Sequence, residues 1–362
     1  MRLLVSGGGT GGHVYPLLSV LAGFDTPPTA LYVGRRGSIE KGLVARTDVP
    51  FRGLRMGGGL RGVKPWVAAG NATLMAGAFL EALRVMRAFR PHAIFVTGGF
   101  VCVPVVLAGW ACRVPVLVYL PDVEPGLAVR FLARFATRIA VTAEDSRAYL
   151  PAHKVVVTGY PVHPALWSTD RAAARAHLDV GPDESLLLVF GGSRGAHAIN
   201  VAVGQALADL VQLAVVIHVC GHDDEAEFQT RRAALPAELR GRYRLYGYLH
   251  EEMPLALVAA DLVVSRAGAA VMGEYPAAGV PSVLIPYPYA GAHQNHNANY
   301  FVRAGAAVLL ENDRLPAGEL WPTVRMLLDD PARRAAMARA ARELARPDAV
   351  QRIIGLLTDL AT

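Results

Sequence analysis

Cysteine is scarce in this chain, with three in 362 residues, and Cys102, Cys112 and Cys220 share no CxxC spacing. An odd, scattered set excludes a disulfide framework and a thiolate zinc site. It fits reduced, mostly buried thiols of a cytosolic protein. Charged residues are also few, 18% against 53% hydrophobic, so burying a large core is no obstacle. Neither sign dominates: 36 Lys and Arg stand against 30 Asp and Glu, a net charge of +6. So mild an excess serves solubility, or attraction to acidic lipids and phosphorylated substrates, and no nucleic-acid partner is expected. An unbroken apolar run of membrane-spanning length is missing as well. Residues 101–120 come nearest, but Pro104, Arg113 and Pro115 interrupt them, which reads as a buried helix followed by a buried strand. The opening apolar run, residues 1–6, is too short for a signal peptide and reads as a first strand. A cytoplasmic chain is expected, touching a membrane only at its surface.

What the chain does have is short runs of Val, Ile and Leu alternating with helical stretches. Strands are expected at 2–6, 30–33, 93–97, 114–119, 139–142, 155–158, 186–190, 215–219, 244–246, 262–265 and 282–285. Continuous apolar strands separated by helices indicate parallel sheets covered on both faces, an α/β fold. The length suggests two domains. Glycine-rich strand-to-helix turns near residues 7 and 191 each open a βαβ series, so two Rossmann-like halves are expected. The boundary is set by Pro161 and Pro164, which break the pattern. Residues 1–160 form the first domain and 161–340 the second, with 341–362 a terminal helix.

Gly7-Gly8-Gly9-Thr10-Gly11-Gly12-His13 lies between a strand and the apolar run of the following helix. Glycines let the backbone approach a phosphate or a sugar, and helix-start amides favour negative charge. Gly7, Gly9 and Gly12 also match GxGxxG, the dinucleotide pattern, which wants an acidic residue after the second strand. Gly34-Arg35-Arg36 stands there instead, and arginines can suit a 2′-phosphate. The turn Gly191-Gly192-Ser193-Arg194-Gly195-Ala196 repeats the first one's physics, with a Ser193 hydroxyl able to bond a phosphate. A third segment, Ser265 to Glu274, places small residues at a helix start, with room for a diphosphate. Glu274 follows about one and a half turns in and can accept hydrogen bonds from two vicinal ribose hydroxyls. Gln294, among His293, Asn295, His296, Asn297 and Asn299, suits recognition of sugar hydroxyls. No Cys or carboxylate cluster joins His293 and His296, so no metal is assigned to them.

Together these stretches resemble the MurG family: GGTGGH at 8–13, GGSRGA at 191–196, SRAG followed by Glu274, and HQNHNA at 293–298. The resemblance runs end to end, through Gly59-Leu60-Arg61-Gly62 and Gly98-Gly99-Phe100. It implies the GT-B fold of two Rossmann-like domains facing each other across a cleft, with the terminal helix returning to the first. It implies an inverting transferase that moves N-acetylglucosamine from UDP-N-acetylglucosamine to the undecaprenyl-pyrophosphoryl-muramyl-pentapeptide lipid, at the cytoplasmic face of an anionic membrane. No cofactor is implied. Carried over residue by residue, Thr10, Gly11, Gly12, His163, Ser193, His250, Ala269, Ala270, Val271, Met272, Gly273, Glu274 and Gln294 would serve the donor. His13 matches a histidine proposed as the catalytic base. Phe100 and Asp122 fall on the acceptor side.

That side departs from the family's pattern. Tyr119-Leu120-Pro121-Asp122 stands where HEQN is usual, so a carboxylate replaces an amide. His163 replaces an arginine, and Phe100 a tyrosine. A transferase with a different acceptor and a non-catalytic sugar-nucleotide-binding relative therefore stay open. Trp66, Leu74, Phe79, Leu83 and Met86 fall near helical spacing among Arg61, Lys64, Arg84, Arg87 and Arg90. They read as an apolar face for docking on acidic headgroups, or as an ordinary core-facing helix.

Overall fold

The computed structural model describes residues 1–9, 11–57, 65–192, 196–250, 252–288 and 293–362, and only the backbone of 65–69. The chain forms two units. One is Met1–Val162 together with Pro347–Thr362, and the other is His163–Arg346.

The first unit carries seven strands: β1 Arg2–Gly7, β2 Thr29–Arg35, β3 Phe51–Leu54, β4 Ala93–Gly98, β5 Val116–Leu120, β6 Arg138–Val141 and β7 Val155–Val157. They pair in parallel in the order β3-β2-β1-β4-β5-β6-β7. The second unit carries β8 Leu186–Phe190, β9 Val215–Val219, β10 Tyr243–Tyr246, β11 Leu262–Ser265, β12 Ser282–Leu284 and β13 Ala307–Leu309, ordered β10-β9-β8-β11-β12-β13. Every residue of β4, β5 and β9 is buried, as expected of strands covered on both faces, and this is why these strands read as largely apolar runs, with Thr97 and His218 the polar exceptions. Two strands, β3 and β13, are absent from the sequence expectation. Each pairs with one neighbour only, and edge strands need no continuous apolar run.

In each sheet the strand order reverses once, at β1 and β4 in the first unit and at β8 and β11 in the second. Ligands of open α/β sheets bind in the crevice beyond the carboxyl ends of the strands at that reversal. All four glycine-bearing turns follow these four strands.

Helix Ala349–Ala361 belongs to the first unit and packs on helix Gly11–Ala22 and on β4 and β5. Ile353 and Leu357 are fully buried. Gly23 leaves room for Val350, whose Cγ1 would lie 2.3 Å from a Cβ there. Helix Pro331–Glu343 packs instead on helix Val271–Ala278, so the tail changes units near Arg346.

Helix Pro65–Phe89 divides the residues named for a docking face. Met86 is buried with Ala78 and Ala82, and Phe79 and Leu83 pack against the same core, so three of the named residues serve the interior. Leu74 remains exposed, as does Leu80. Arg61 and Lys64, and the side chain of Trp66, lie outside the described residues.

Candidate functional site

In the first unit, the turns after β1 and β4 lean on one another. The Gly8 amide donates to the Gly98 carbonyl at 3.3 Å. A Cβ on Gly99 would meet the Gly8 oxygen at 2.7 Å, and Gly99 has φ +86°, so only glycine fits. Tyr32 donates its hydroxyl to the Gly7 carbonyl at 2.7 Å, fixing the turn from below. Glu40 is buried beside Gly8, with Oε2 unpartnered among the described residues.

Helix Gly11–Ala22 begins with Gly11, Gly12 and His13, and a reciprocal pair ties His13 to β4. The Thr97 hydroxyl donates to the His13 carbonyl at 2.6 Å, and His13 Nδ1 lies 3.0 Å from the Thr97 carbonyl. A carbonyl only accepts, so Nδ1 carries the proton. Neutral His13 is therefore held as the tautomer whose Nε2 bears the free lone pair. Phe100, next in the β4 turn, is exposed.

Asp122 follows β5, one strand further along. Thr142 Oγ1 donates to the Pro121 carbonyl at 2.9 Å and bonds the Tyr119 hydroxyl, which holds this turn. Arg130 is engaged: it pairs with Glu124 and donates to the Pro125 carbonyl at 3.0 Å.

In the second unit, Gly192 follows β8 with φ +94°, and among the described residues nothing comes within 4 Å of where a Cβ would stand. Thr10, Ser193 and the 59–62 segment lie outside the described residues. Beyond β11, Gly268 is likewise open, and Ala269 and Ala270 lead into helix Val271–Ala278, which carries Met272, Gly273 and Glu274. Buried Asn297 donates to the Ala267 carbonyl at 3.0 Å, and Arg266 bonds the Ile285 and Pro286 carbonyls and the Asn312 side chain. The β11 turn is thus rigidly braced. Glu274 keeps part of its surface open, but crowding by protein desolvates its carboxyl and pushes its pKa up to about 7. No hydrogen bond or ion pair holds that carboxyl among the described residues.

Gln294 accepts a hydrogen bond from the Tyr287 amide at 2.9 Å, which leaves its NH₂ group for another partner. His250 is exposed, 4.4 Å from Tyr248 between ring centroids, and its carbonyl accepts from the Met253 amide. His163 is also exposed. Its Nδ1 accepts from the Ala165 amide at 3.2 Å at the start of helix Ala165–Ser168, which packs on helix Val271–Ala278. The residues of the β8 and β11 turns share one sheet edge with Glu274 and Gln294, and His13 shares its own sheet edge with Phe100 and Asp122.

One buried network escaped sequence reasoning. Asn200 donates to the Cys220 carbonyl and to Asp224, and its Oδ1 meets His218 Nε2 at 3.0 Å. His218 Nδ1 takes the Tyr243 hydroxyl at 2.7 Å. Exposed His197, at the helix start beyond the β8 turn, reaches the same Asp224. Asn200 and Tyr243 lie 18 and 25 positions from His218 along the chain, and no local motif joins them.

Comparison with known proteins agrees with this architecture. Residues 3–141 match the glycosyltransferase family 28 N-terminal domain, and residues 186–353 the family's C-terminal domain. A UDP-N-acetylglucosamine--N-acetylmuramyl-(pentapeptide) pyrophosphoryl-undecaprenol N-acetylglucosamine transferase from Roseiflexus sp. (strain RS-1) is 42% identical, over 99% of this chain and 95% of that one. The enzyme of the same name from Desulforudis audaxviator is 40% identical, over 100% and 99%. The crystal structure of Acinetobacter baumannii MurG superposes with a TM-score of 0.76 at 25% identity, covering 99% of each chain. A UDP-GlcNAc 2-epimerase from Neisseria meningitidis, 14% identical with a TM-score of 0.70 over 99% of this chain and 100% of that one, shares the fold alone. The chain belongs to glycosyltransferase family 28 and, within it, to the MurG family of GT-B glycosyltransferases.

Proposed function

We propose that this chain moves N-acetylglucosamine from its UDP donor to the lipid-linked muramyl-pentapeptide, with inversion at the anomeric carbon. The observation that carries the mechanism is the tautomer of His13. With Nδ1–H committed to Thr97, Nε2 takes the proton of the acceptor hydroxyl as that oxygen attacks the anomeric carbon. The bond to the UDP oxygen breaks, and charge grows on the departing diphosphate. Amides of the open glycine turns at Gly192 and Gly268, with Ser193, stabilise that charge. Exposed Trp110, Leu74 and Leu80, with Arg84, Arg87 and Arg113 exposed on the same unit, dock it on an anionic bilayer.

Glu274 holds the ribose hydroxyls in this reading. Two hydroxyl donors would favour the ionised carboxyl, which is otherwise near its titration point at neutral pH. UDP affinity of the native chain should therefore rise between about pH 6 and pH 8 more steeply than that of Glu274→Gln. Glu274→Ala should weaken UDP binding by about 1–3 kcal/mol. Calorimetry giving equal affinities and equal pH slopes would remove Glu274 from the site.

The acceptor reading turns on Asp122. A carboxylate beside a lipid pyrophosphate repels it, and Arg130, paired with Glu124, is not free to compensate. Asp122→Asn should therefore speed transfer to the muramyl-pentapeptide lipid, and faster from anionic than from zwitterionic vesicles at low salt. Slower transfer by the variant would mean that Asp122 holds the acceptor. No turnover of that lipid by either form would reject the acceptor assignment.

A further inference from the structure

The Arg35-Arg36 pair at the end of β2 has no role in the transfer chemistry, yet an open cavity of about 410 Å³ lies there, lined by Arg36, Gly37, Lys41, Phe51, Arg52 and Gly53. None of the glycine-turn residues lines it. Missing side chains shape it. A Cβ on Gly53 would stand 2.7 Å from Arg36 Cγ, and one on Gly34 would stand 2.6 Å from the Phe51 ring. Glycine at those two places lets the Arg36 stem lie across β3 and the Phe51 ring stack on Tyr32 at 5.8 Å. The Gly53 carbonyl then accepts from Arg36 Nε at 2.9 Å, which orients the guanidinium and leaves its terminal nitrogens for other partners. Gly37, with φ +69° and nothing within 4 Å of a Cβ, keeps the mouth open.

Arg36, Lys41 and Arg52 all line this cavity. The one carboxylate paired with them among the described residues is Glu81, loosely, at 3.9 Å from Arg36. Arg52 and Lys41 are exposed and carry no ion pair among the described residues. An oriented guanidinium with two further cations suits a tetrahedral oxyanion, which accepts several charge-assisted hydrogen bonds at once. The volume admits a phosphate with a small organic substituent.

We propose that Arg36, Lys41 and Arg52 form a phosphate-binding pocket on the first unit, separate from the glycine turns, that takes a free phosphomonoester or the phosphate of a lipid headgroup. The inference does not rest on the acceptor or donor assignments. Its test uses the full chain at low salt with excess UDP present to occupy any nucleotide site. Inorganic phosphate and glycerol phosphate are titrated by calorimetry, and sedimentation is measured with phosphatidylglycerol vesicles. Lys41→Ser/Arg52→Ser leaves the Arg36–Gly53 bond in place and should keep the native melting temperature. Arg36→Ser is the second variant.

Saturable binding of the soluble phosphates, weakened at least about tenfold in the double variant, supports the pocket and identifies a free ligand. Vesicle retention weakened to that degree, with no soluble binding, supports it and identifies a lipid headgroup. Equal binding by native and variant chains in both arms overturns it.

Discussion

Replacing His13 by alanine is expected to lower the rate of sugar transfer by roughly 10²–10⁴ and to leave UDP affinity unchanged. The expectation follows from how the residue is held. Its backbone carbonyl is anchored by the Thr97 hydroxyl, a bond that survives truncation of the ring, so the helix start should keep its place. What is lost is Nε2, the one ring nitrogen left unprotonated when Nδ1 donates to Thr97. Steady-state rates on the lipid acceptor, set beside UDP binding by calorimetry, separate the roles. Parallel losses in both would make His13 a binding residue, and a near-normal rate would dismiss it.

Acidification is expected to destabilise the second unit through His218. The ring is fully buried between Tyr243 and Asn200, and burial pulls its pKa down to about 3. The unfolded chain takes up a proton on this histidine near pH 6.5, whereas the native chain does so only near pH 3. Between those values unfolding binds a proton, so stability falls as pH falls, by up to about 1.4 kcal/mol per pH unit. Glu274 contributes with the opposite sign. Its raised pKa means that the native state holds a proton the unfolded state has released, so its share of stability is lost as pH rises through about 7. The two effects separate in a comparison of variants. His218→Gln should be the less stable form at pH 7.5, for want of the buried hydrogen bonds, and the gap should narrow towards pH 4.5. Denaturation midpoints whose difference stays constant over that range would show that the ring titrates normally.

Much of the architecture was legible because burial on both faces leaves a plain mark. β5 and β8 are runs of apolar residues and β4 and β9 are nearly so, and each run shows in the sequence. β3 was not legible: Phe51-Arg52-Gly53-Leu54 serves an edge, where Arg52 can face solvent. The candidate site divides in the same way. Glycine turns and Glu274 sit in contiguous stretches whose spacing carries information. Glu40 was missed because the acid was sought directly behind the second strand, where Arg35 and Arg36 stand, and it lies further on, folded back beneath Gly8. The expected docking face divided for another reason. Helical spacing marks an apolar stripe without saying whether core or lipid covers it, and Met86, Leu83 and Phe79 went to the core.

The return of Pro347–Thr362 to the first unit bears on the order in which the molecule is made. A ribosome delivers the seven strands of the first sheet before any strand of the second, yet Ile353 and Leu357, which pack into the first unit, emerge only after the whole of the second. The second unit is continuous from His163 to Arg346 and can close as soon as it is synthesised. The half that is translated first is thus the half finished last, and until then the surface of helix Gly11–Ala22 that helix Ala349–Ala361 will cover stays bare, with His13 on the same helix. Synthesis that stopped short of Pro347 would release a chain whose second unit has all its residues and whose first unit stays open where Val350 packs on Gly23.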